Sequence, residues 1–390
     1  MATGTNAYRP DHAVPPGYLL EEYLEARAFS QAELARRCGR SPKLISEILA
    51  GKAPVEPKTA IEFERVLGLD ASIWLGMESD YRLRLAREAE ASARAAESDW
   101  ARAFPVRELA KRGCIPRAES GADAVAGLLA FFNVASVKVW TARHLTEKAA
   151  YRHSPSFESK PEALATWLRL GELEAETQDC AYYDRTTFLR CLHQIRASTA
   201  KGPETALPEA RRLCNAGGVA LALVEPLRGT ALSGATWWLS PRKAVIALSR
   251  RHRTDDHLWF SFFHEAAHLL LHSKRHVFVE GKSSLVNRSP RATTRHHEKE
   301  EQANAWAADF LIPPDSWKRF VAGFGRSKAE VSRFAESQPI APGIVVGRLQ
   351  HEGLLPHSHL NGLKAKVAPC SAPRPSSRRA DGSHSRQPNG

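Results

Sequence analysis

The chain of 390 residues is 43% hydrophobic, which provides enough apolar material for two or three cores. A formal net charge of +12 with a pI near 9.6 favours a polyanionic partner. The N-terminus lacks a signal-peptide pattern, and polar residues interrupt the apolar stretch 127–140 before it reaches the length of a membrane span. Six cysteines without a C-x-x-C pair argue against a disulfide scaffold, so we expect a cytoplasmic protein with free or buried thiols and no membrane segment.

Residues 16–75 predict a series of short helices. Ser30 and Glu33 form the pattern of a capping box, which starts one of these helices. Ser41 then caps the next helix, and Gly51 stops it. Two short helices joined by a turn of a few residues are the layout of a helix-turn-helix.

The second of these helices has an apolar face and a polar face. Lys43 and Ser46 lie off the apolar face, so they are free to meet a DNA groove. Arg40 and Lys52 belong to a basic cluster around this helix and can contact phosphates. The alternative is an ordinary small helical bundle with a solvated basic side.

This region resembles the XRE-type DNA-binding domains, and in particular their HigA/VapI-like antitoxin branch. The resemblance is carried by residues 16–24, 30–35, 46–52 and 67–75. It implies a homodimer that binds operator DNA and represses its own promoter. It also places Gln31, Lys43 and Ser46 at positions that contact DNA in such domains.

The next part of the chain predicts helices without a motif that we can assign. Residues 77–103 are rich in Ala, Glu and Arg and predict one long helix, either a spacer or a dimer element. Further helices are predicted at residues 106–111, 122–132, 161–176, 185–200 and 208–216. Short strands are predicted at residues 219–224, 236–239 and 244–248, where they could hold a peptide by strand addition.

The segment that follows contains the pattern His264-Glu265-x-x-His268 within a predicted helix. Two histidines four residues apart project from one helix face, so their imidazoles can converge on one metal ion. Glu265 points about 100° round the helix, where it can take a proton from water instead of ligating the metal. A zinc-dependent hydrolase needs this arrangement. The alternative is a pair of core histidines bonded to backbone carbonyls.

A catalytic zinc usually has three protein ligands, so a third donor is expected downstream. Residues 300–311 predict an Ala-rich helix that Pro313 stops. Glu300 shares the apolar stripe of this helix, and an inward carboxylate needs a cation or hydrogen-bond donors. A solvated Glu at the helix N-terminus is the alternative, and His296 and His297 are rival ligands that precede the predicted helix.

The two motifs together resemble the ImmA/IrrE family of metallopeptidases. The match rests mainly on residues 255–268 and 300–313. The resemblance implies that His264, His268 and Glu300 bind the metal and that Glu265 is the base. It further implies that the substrate is a regulator or antitoxin protein. The cofactor expected is Zn²⁺, with Mn²⁺ open because His and carboxylate ligands suit both.

The fold class predicted is mainly α with a small β-sheet (α+β), closed by helices at residues 326–334 and 342–349. The predicted domains are a five-helix helix-turn-helix bundle (1–76), a linker helix (77–103), a helical middle region (104–215), a zincin-like metallopeptidase domain (216–355) and a disordered basic tail (356–390).

Two functions are compatible with this layout. One is a DNA-binding transcriptional regulator with an HExxH zinc-dependent peptidase domain that cleaves a regulator or antitoxin protein. The other is a HigA-like antitoxin or repressor whose peptidase fold is a non-catalytic sensor or scaffold. The complete set of expected metal residues favours the enzyme.

Overall fold

A computed structural model of the protein describes residues 14–143, 160–249, 251, 253–272, 278–281 and 290–368. For 278–281 and 290–296 the description covers the backbone alone. The chain divides into two compact units, Met1–Ser98 and Asp99–Gly390. Helices dominate and one small sheet is present, which confirms the predicted α+β class.

The first unit is a bundle of five helices. They are α1 (Pro16–Ala26), α2 (Gln31–Cys38), α3 (Pro42–Leu49), α4 (Pro57–Leu67) and α5 (Ala71–Ala96). The Ser30 and Ser41 hydroxyls accept the first free N–H groups of α2 and α3, at 3.1 and 3.2 Å. Ile45, Phe63 and Trp74 are fully buried in the shared core. The predicted helix-turn-helix is therefore present as α2 and α3.

Two details of this unit differ from the prediction. The Glu33 carboxylate pairs with Arg36 and Arg37 instead of completing the capping box, because these cations lie one turn away on the same helix face. The predicted linker helix also begins earlier than residue 77. Asp70 caps α5 by accepting the Ser72 N–H at 2.8 Å, so the helix already starts inside the bundle.

The sheet of the second unit has four strands in the order β1-β3-β2-β4. The strands are β1 (Val219–Val224), β2 (Leu232–Ser240), β3 (Lys243–Ser249) and β4 (Phe278–Gly281). β1 runs parallel to β3, and the other pairs are antiparallel. The three predicted strands are present, and β4 was missed because four residues are too few to show an alternating pattern.

Helices cover both faces of this sheet. Side chains alternate along β1, so that Leu221 contributes to one core while Ala220 contributes to another. The smaller core includes Trp167 of α10 (Pro161–Glu176), and the larger one includes α11 (Arg185–Ser198) and α12 (Pro203–Ala216). Helices from the predicted middle region thus pack directly on the sheet. The boundary proposed at residues 215 and 216 stays a prediction.

The start of the second unit is a smaller aromatic cluster. It is built from α6 (Ser98–Arg102), α7 (Val106–Lys111), α8 (Gly121–Phe132) and α9 (Val137–Arg143). The rings of Phe104 and Trp140 lie 5.1 Å apart at its centre. Within the described residues, no single helix is long and apolar enough to span a membrane. The pair α8 and α9, bent by 46°, meets that criterion by length and composition alone.

The C-terminal part supplies the helices that surround the metal motif. They are α13 (Asp255–Leu271), α14 (Pro290–Leu311), α15 (Pro314–Ala322), α16 (Lys328–Ser337) and α17 (Pro342–His351). α14 begins ten residues before the predicted start. Its first turns are polar and basic, so they show no apolar periodicity, although Pro290 occupies a favoured first position. Glu300 is consequently in the middle of its helix and is not a helix-terminal residue.

The predicted disordered tail starts too early. Lys364 Nζ lies 2.6 Å from Asp256 Oδ2 in a buried ion pair. Asp255 N–H donates to Ala365 O at 2.9 Å, and Ala365 N–H donates to Asp255 Oδ1 at 3.0 Å. Residues 364–367 are therefore attached to the N-terminus of α13, and residues 369–390 lie outside the described ones.

Five of the six cysteines lie in the part of the chain that is described. Five thiols are free, at positions 38, 114, 180, 191 and 214. Burial raises the pKa of Cys38 to about 11, so this thiol stays protonated and unreactive at neutral pH. Cys370 lies outside the described residues.

Candidate functional site

The helix that carries the HExxH motif is the centre of the second unit. Fourteen of the 17 residues of α13 are buried, on all sides of the helix. Its burial therefore extends beyond the face that carries the two histidines. Leu271, the last residue of the helix, is instead 43% exposed. A helix buried all round holds its polar side chains in fixed surroundings.

His264, His268 and Glu300 converge between α13 and α14. His264 Nε2 lies 3.0 Å from His268 Nε2 and 3.3 Å from Glu300 Oε2. The distance from His268 Nε2 to Glu300 Oε1 is 3.5 Å. These three side chains, here called the metal-ligand cluster, offer ligand atoms within 4.8 Å of one another. Two imidazole nitrogens and one carboxylate oxygen are a donor set typical of catalytic zinc sites.

Asn304 orients the first histidine of this cluster. Its Oδ1 lies 2.9 Å from His264 Nδ1, one helical turn beyond Glu300. An amide oxygen can only accept, so this contact assigns the proton to Nδ1 and leaves the Nε2 lone pair directed at the cluster.

Burial sets the protonation of the metal-ligand cluster. It lowers the pKa of His268 to about 4, against the opposing effect of the Glu300 carboxylate. Burial also raises the pKa of Glu300, but its contacts with the His264 and His268 imidazoles outweigh this effect and hold that pKa below its usual value. A neutral imidazole and an ionised carboxylate are the forms that bind a metal cation.

Glu265 lies on a different side of α13 from the metal-ligand cluster. Its side chain is fully buried and its carboxylate faces strand β2 at Gly234. A Cβ atom built on that glycine would lie 2.8 Å from Glu265 Oε1. The carboxylate of the motif thus faces β2 and is not among the ligand atoms that converge. Sequence reasoning missed Gly234, because this glycine precedes the strand predicted at residues 236–239, whereas the strand in the structure begins at Leu232.

The rival histidines do not join the cluster. His297 is exposed and pairs with Glu301 at 3.0 Å. It lies within α14, so the sequence argument that it precedes the helix is wrong, and its outward face excludes it instead. The side chain of His296 lies outside the described ones. His272 ends α13, with its Nε2 3.3 Å from Lys299 O.

The first unit presents a polar surface along α2 and α3. Gln31, Lys43, Ser46 and Lys52 are exposed there. Lys43 is 83% exposed and lies 3.8 Å from Glu47 of the same helix. Arg40 differs from the other candidates, since its Nε pairs with Glu62 Oε2 at 2.6 Å and its side chain is only 21% exposed. The DNA-contacting roles of all five residues stay predictions.

Known proteins are similar to parts of this chain. Virulence-associated protein I of Dichelobacter nodosus is 36% identical over 77 residues, which is 20% of this chain and 71% of that protein. The uncharacterized HTH-type transcriptional regulator YddM of Escherichia coli (strain K12) is 32% identical over 68 residues, or 17% of this chain and 72% of that protein. Residues 20–74 match the helix-turn-helix family model.

A second family model, the IrrE N-terminal-like domain named Peptidase_M78, matches residues 222–337. The chain is an XRE-type helix-turn-helix protein fused to an ImmA/IrrE-family domain. The solved structure of antitoxin GraA is also similar, with 28% identity over 20% of this chain and 85% of that chain, at a TM-score of 0.20. All residues of the metal-ligand cluster lie inside the ImmA/IrrE-family domain.

Proposed function

We propose that this protein is a DNA-binding transcriptional regulator whose ImmA/IrrE-family domain is a zinc-dependent endopeptidase. The substrate proposed is a regulator or antitoxin protein. The observation that carries the proposal is the convergence of His264, His268 and Glu300 within 4.8 Å, while the adjacent motif residue Glu265 faces β2 and stays outside the cluster. A metallopeptidase needs this division, in which some side chains bind the metal and a separate carboxylate takes the proton of the attacking water.

The donor set fits a divalent cation. His264 and His268 would hold it through their Nε2 atoms, and Glu300 would hold it through its carboxylate, since these atoms face one another. Zinc bound there supplies Lewis-acid polarisation and lowers the pKa of water to about 7. Manganese suits the same ligands. Asn304 keeps the His264 ring in the tautomer that binds a metal.

Glu265 is proposed as the general base and acid. Its carboxylate accepts a proton from the attacking water and then donates it to the leaving amine of the cleaved peptide. The buried surroundings of α13 fix this carboxylate against β2, which reduces the cost of orienting it for each turnover. The residue that stabilises the oxyanion stays unassigned.

The first unit is proposed to bring this domain to an operator. The exposed face of α3 presents Lys43 and Ser46, and Gln31 lies at the start of α2. The Escherichia coli relative YddM is named as an HTH-type transcriptional regulator. A homodimer would match the two half-sites of a palindromic operator. Binding to the promoter would place the protein in the cytoplasm.

A direct experiment compares the wild-type protein with Glu265→Gln. Purified, zinc-loaded protein is incubated with the regulator or toxin–antitoxin proteins encoded next to its gene, and cleavage is followed by intact-mass spectrometry. The expected result is cleavage by the wild type, no cleavage by the variant, and equal zinc content in both. Full activity of Glu265→Gln would remove the proposal.

The proposed binding of the first unit to operator DNA is tested by an electrophoretic mobility shift assay with the DNA upstream of the gene. The expected result is a specific shift that weakens steeply as salt rises, because bound phosphates release counterions. Failure to shift this DNA at low salt would refute operator binding. Competition with unrelated DNA of equal length separates specific from non-specific binding.

A second function is favoured by the complete burial of Glu265. A base must reach substrate water, and a carboxylate without exposure is better placed to stabilise a fold than to turn over substrate. The second function is a repressor whose peptidase-like domain binds metal as a sensor or scaffold. Zinc binding together with a metal-dependent change in operator affinity, but no cleavage of any neighbouring regulator, is the outcome that selects it.

A further inference from the structure

Gly234 of β2 and Glu265 of α13 approach each other more closely than any side chain at position 234 would permit. A Cβ atom there would lie 2.8 Å from Glu265 Oε1, 2.9 Å from its Cγ and 3.2 Å from its Cδ. The three nearest atoms therefore all belong to Glu265. Real Cβ atoms essentially never approach other atoms within 3.0 Å, so any larger residue must displace this side chain.

The backbone of Gly234 does not itself require glycine. Its φ lies outside the left-handed region, so an alanine could adopt the same conformation. The residue is buried in a strand interior, where glycine usually weakens pairing. The requirement for glycine at this position therefore comes from space alone, and that space holds the carboxylate of the HExxH motif.

The strand is also irregular at this point. Leu232 pairs with Gly281 and Gly234 pairs with Glu280, which leaves Ser233 as an extra residue on β2. On the other side, Gly234 keeps a regular pairing with Leu248 of β3. A β-bulge bends its strand and changes the direction of neighbouring groups, and bulges are frequent beside active sites. The bulge sits directly before the glycine that faces Glu265.

We propose that Gly234 is a positioning residue for Glu265. By lacking a side chain, it lets the carboxylate lie against the backbone of β2, which keeps it outside the metal-ligand cluster and fixed for proton transfer. The catalytic consequence rests on the proposed peptidase function. The spatial claim, that Glu265 occupies the volume of the absent side chain, is independent of that function.

The kinetic arm uses full-length Gly234→Ala. The far end of a glutamate is flexible, so the added methyl group should move the carboxylate and leave the strand in place. Zinc content should match the wild type, because the nearest atoms at this position belong to Glu265 and none to a ligand. We expect kcat to fall by about 100-fold with little change in KM, as for a misplaced catalytic group.

Gly323→Ala is the matched control for this arm. Gly323 follows α15 in the same unit, and a Cβ atom there would meet no atom within 4 Å. Its zinc content, kcat and KM should equal those of the wild type. A Gly234→Ala variant with wild-type kcat overturns the proposal, as does one that loses both zinc and folded structure.

The stability arm requires no activity. Melting temperatures are compared for Gly234→Ala in three backgrounds: wild type, Glu265→Gln and Glu265→Ala. Because Gln keeps the shape of Glu, the methyl group added by Gly234→Ala should lower the melting temperature in the wild-type and Glu265→Gln backgrounds. Because Glu265→Ala removes the side chain that would clash, Gly234→Ala should leave the melting temperature unchanged or raise it in that background.

The two arms separate failure of this inference from failure of the proposed function. If the wild type cleaves no peptide, the peptidase proposal fails while the melting temperatures still decide whether Glu265 fills the space beside Gly234. If Gly234→Ala lowers the melting temperature equally in all three backgrounds, the spatial claim is wrong even in an active enzyme.

Discussion

Asn304 Oδ1 and His264 Nδ1 lie 2.9 Å apart and join α14 to α13 at the metal-ligand cluster. The contact fixes both the tautomer and the ring orientation of His264. Such supporting hydrogen bonds strengthen a metal site, because an imidazole that can rotate loses affinity for its ion.

Removing this contact should weaken metal binding. We expect Asn304→Ala to reduce zinc affinity by about 10–100-fold while the fold persists. Asn304→Asp should retain most of the affinity, since a carboxylate oxygen also accepts the Nδ1 proton. Competition titration with a chromophoric zinc chelator measures both variants. Equal affinity in Asn304→Ala and the wild type would contradict the orienting role.

The metal-ligand cluster should couple zinc binding to stability. A ligand that binds only the folded state at 100 times its Kd stabilises that state by about 2.7 kcal/mol. Zinc should therefore raise the melting temperature of the wild type, and EDTA should reverse the rise. His264→Ala, His268→Ala and Glu300→Gln should each abolish the effect. His297→Ala is the control, because His297 is exposed on the same helix as Glu300 and should leave the rise unchanged.

Asp255 should make stability depend on pH. Burial, followed by the neighbouring Asp256, raises the pKa of Asp255 from 3.8 to about 7. The folded state binds this proton more tightly than the unfolded chain does. The protonated Asp255 therefore contributes to the free energy of unfolding; this contribution is complete below pH 3.8 and is lost as the pH rises through about 7.

Asp255→Asn tests this dependence, since the amide keeps the oxygen that accepts the Ala365 N–H but carries no charge. At pH 8 the variant should exceed the wild type in unfolding free energy by up to about 4 kcal/mol, and near pH 4 the difference should shrink. Urea denaturation at both pH values measures it. Asp309→Asn, at an exposed acid of the same unit, should show no such trend.

Lys43 and Arg40 should respond differently to mutation. Lys43 is 83% exposed on α3, so Lys43→Ala should weaken DNA binding and reduce the slope of log K against log salt by about 1. Arg40 is held by Glu62, so Arg40→Ala should mainly lower the melting temperature of the first unit. Binding titrations at several salt concentrations, with thermal melts alongside, distinguish the two. Wild-type affinity in Lys43→Ala would remove α3 as the candidate interface.

The sequence predicted the features that depend on interactions between residues close together in the chain, such as helix caps and apolar helix faces. Ser30 and Ser41 accept backbone N–H groups at the predicted helix starts, because a short polar side chain satisfies a donor that the helix cannot. The apolar periodicity around Glu300 likewise predicted its inward direction, which the structure shows. Both features involve residues within one or two helical turns.

The features that were missed depend on distant parts of the chain. Gly234 is explained only by Glu265, which approaches it from another element. Lys364 looked like part of a basic tail, but it pairs with the buried Asp256. The first turns of α14 are polar, so no periodic pattern marked them. A local sequence pattern cannot identify the partners of such residues, because those partners are brought into contact only by the tertiary fold.

The pairing of Lys364 with Asp256 has a consequence for how the protein matures. The segment that secures the start of the HExxH helix leaves the ribosome after that whole helix, because Lys364 follows Asp256 by 108 positions. A nascent or prematurely terminated product that stops at residue 355 would carry a buried acid without its cation. Recombinant fragments of the peptidase-like domain should therefore extend through Val367 to remain folded.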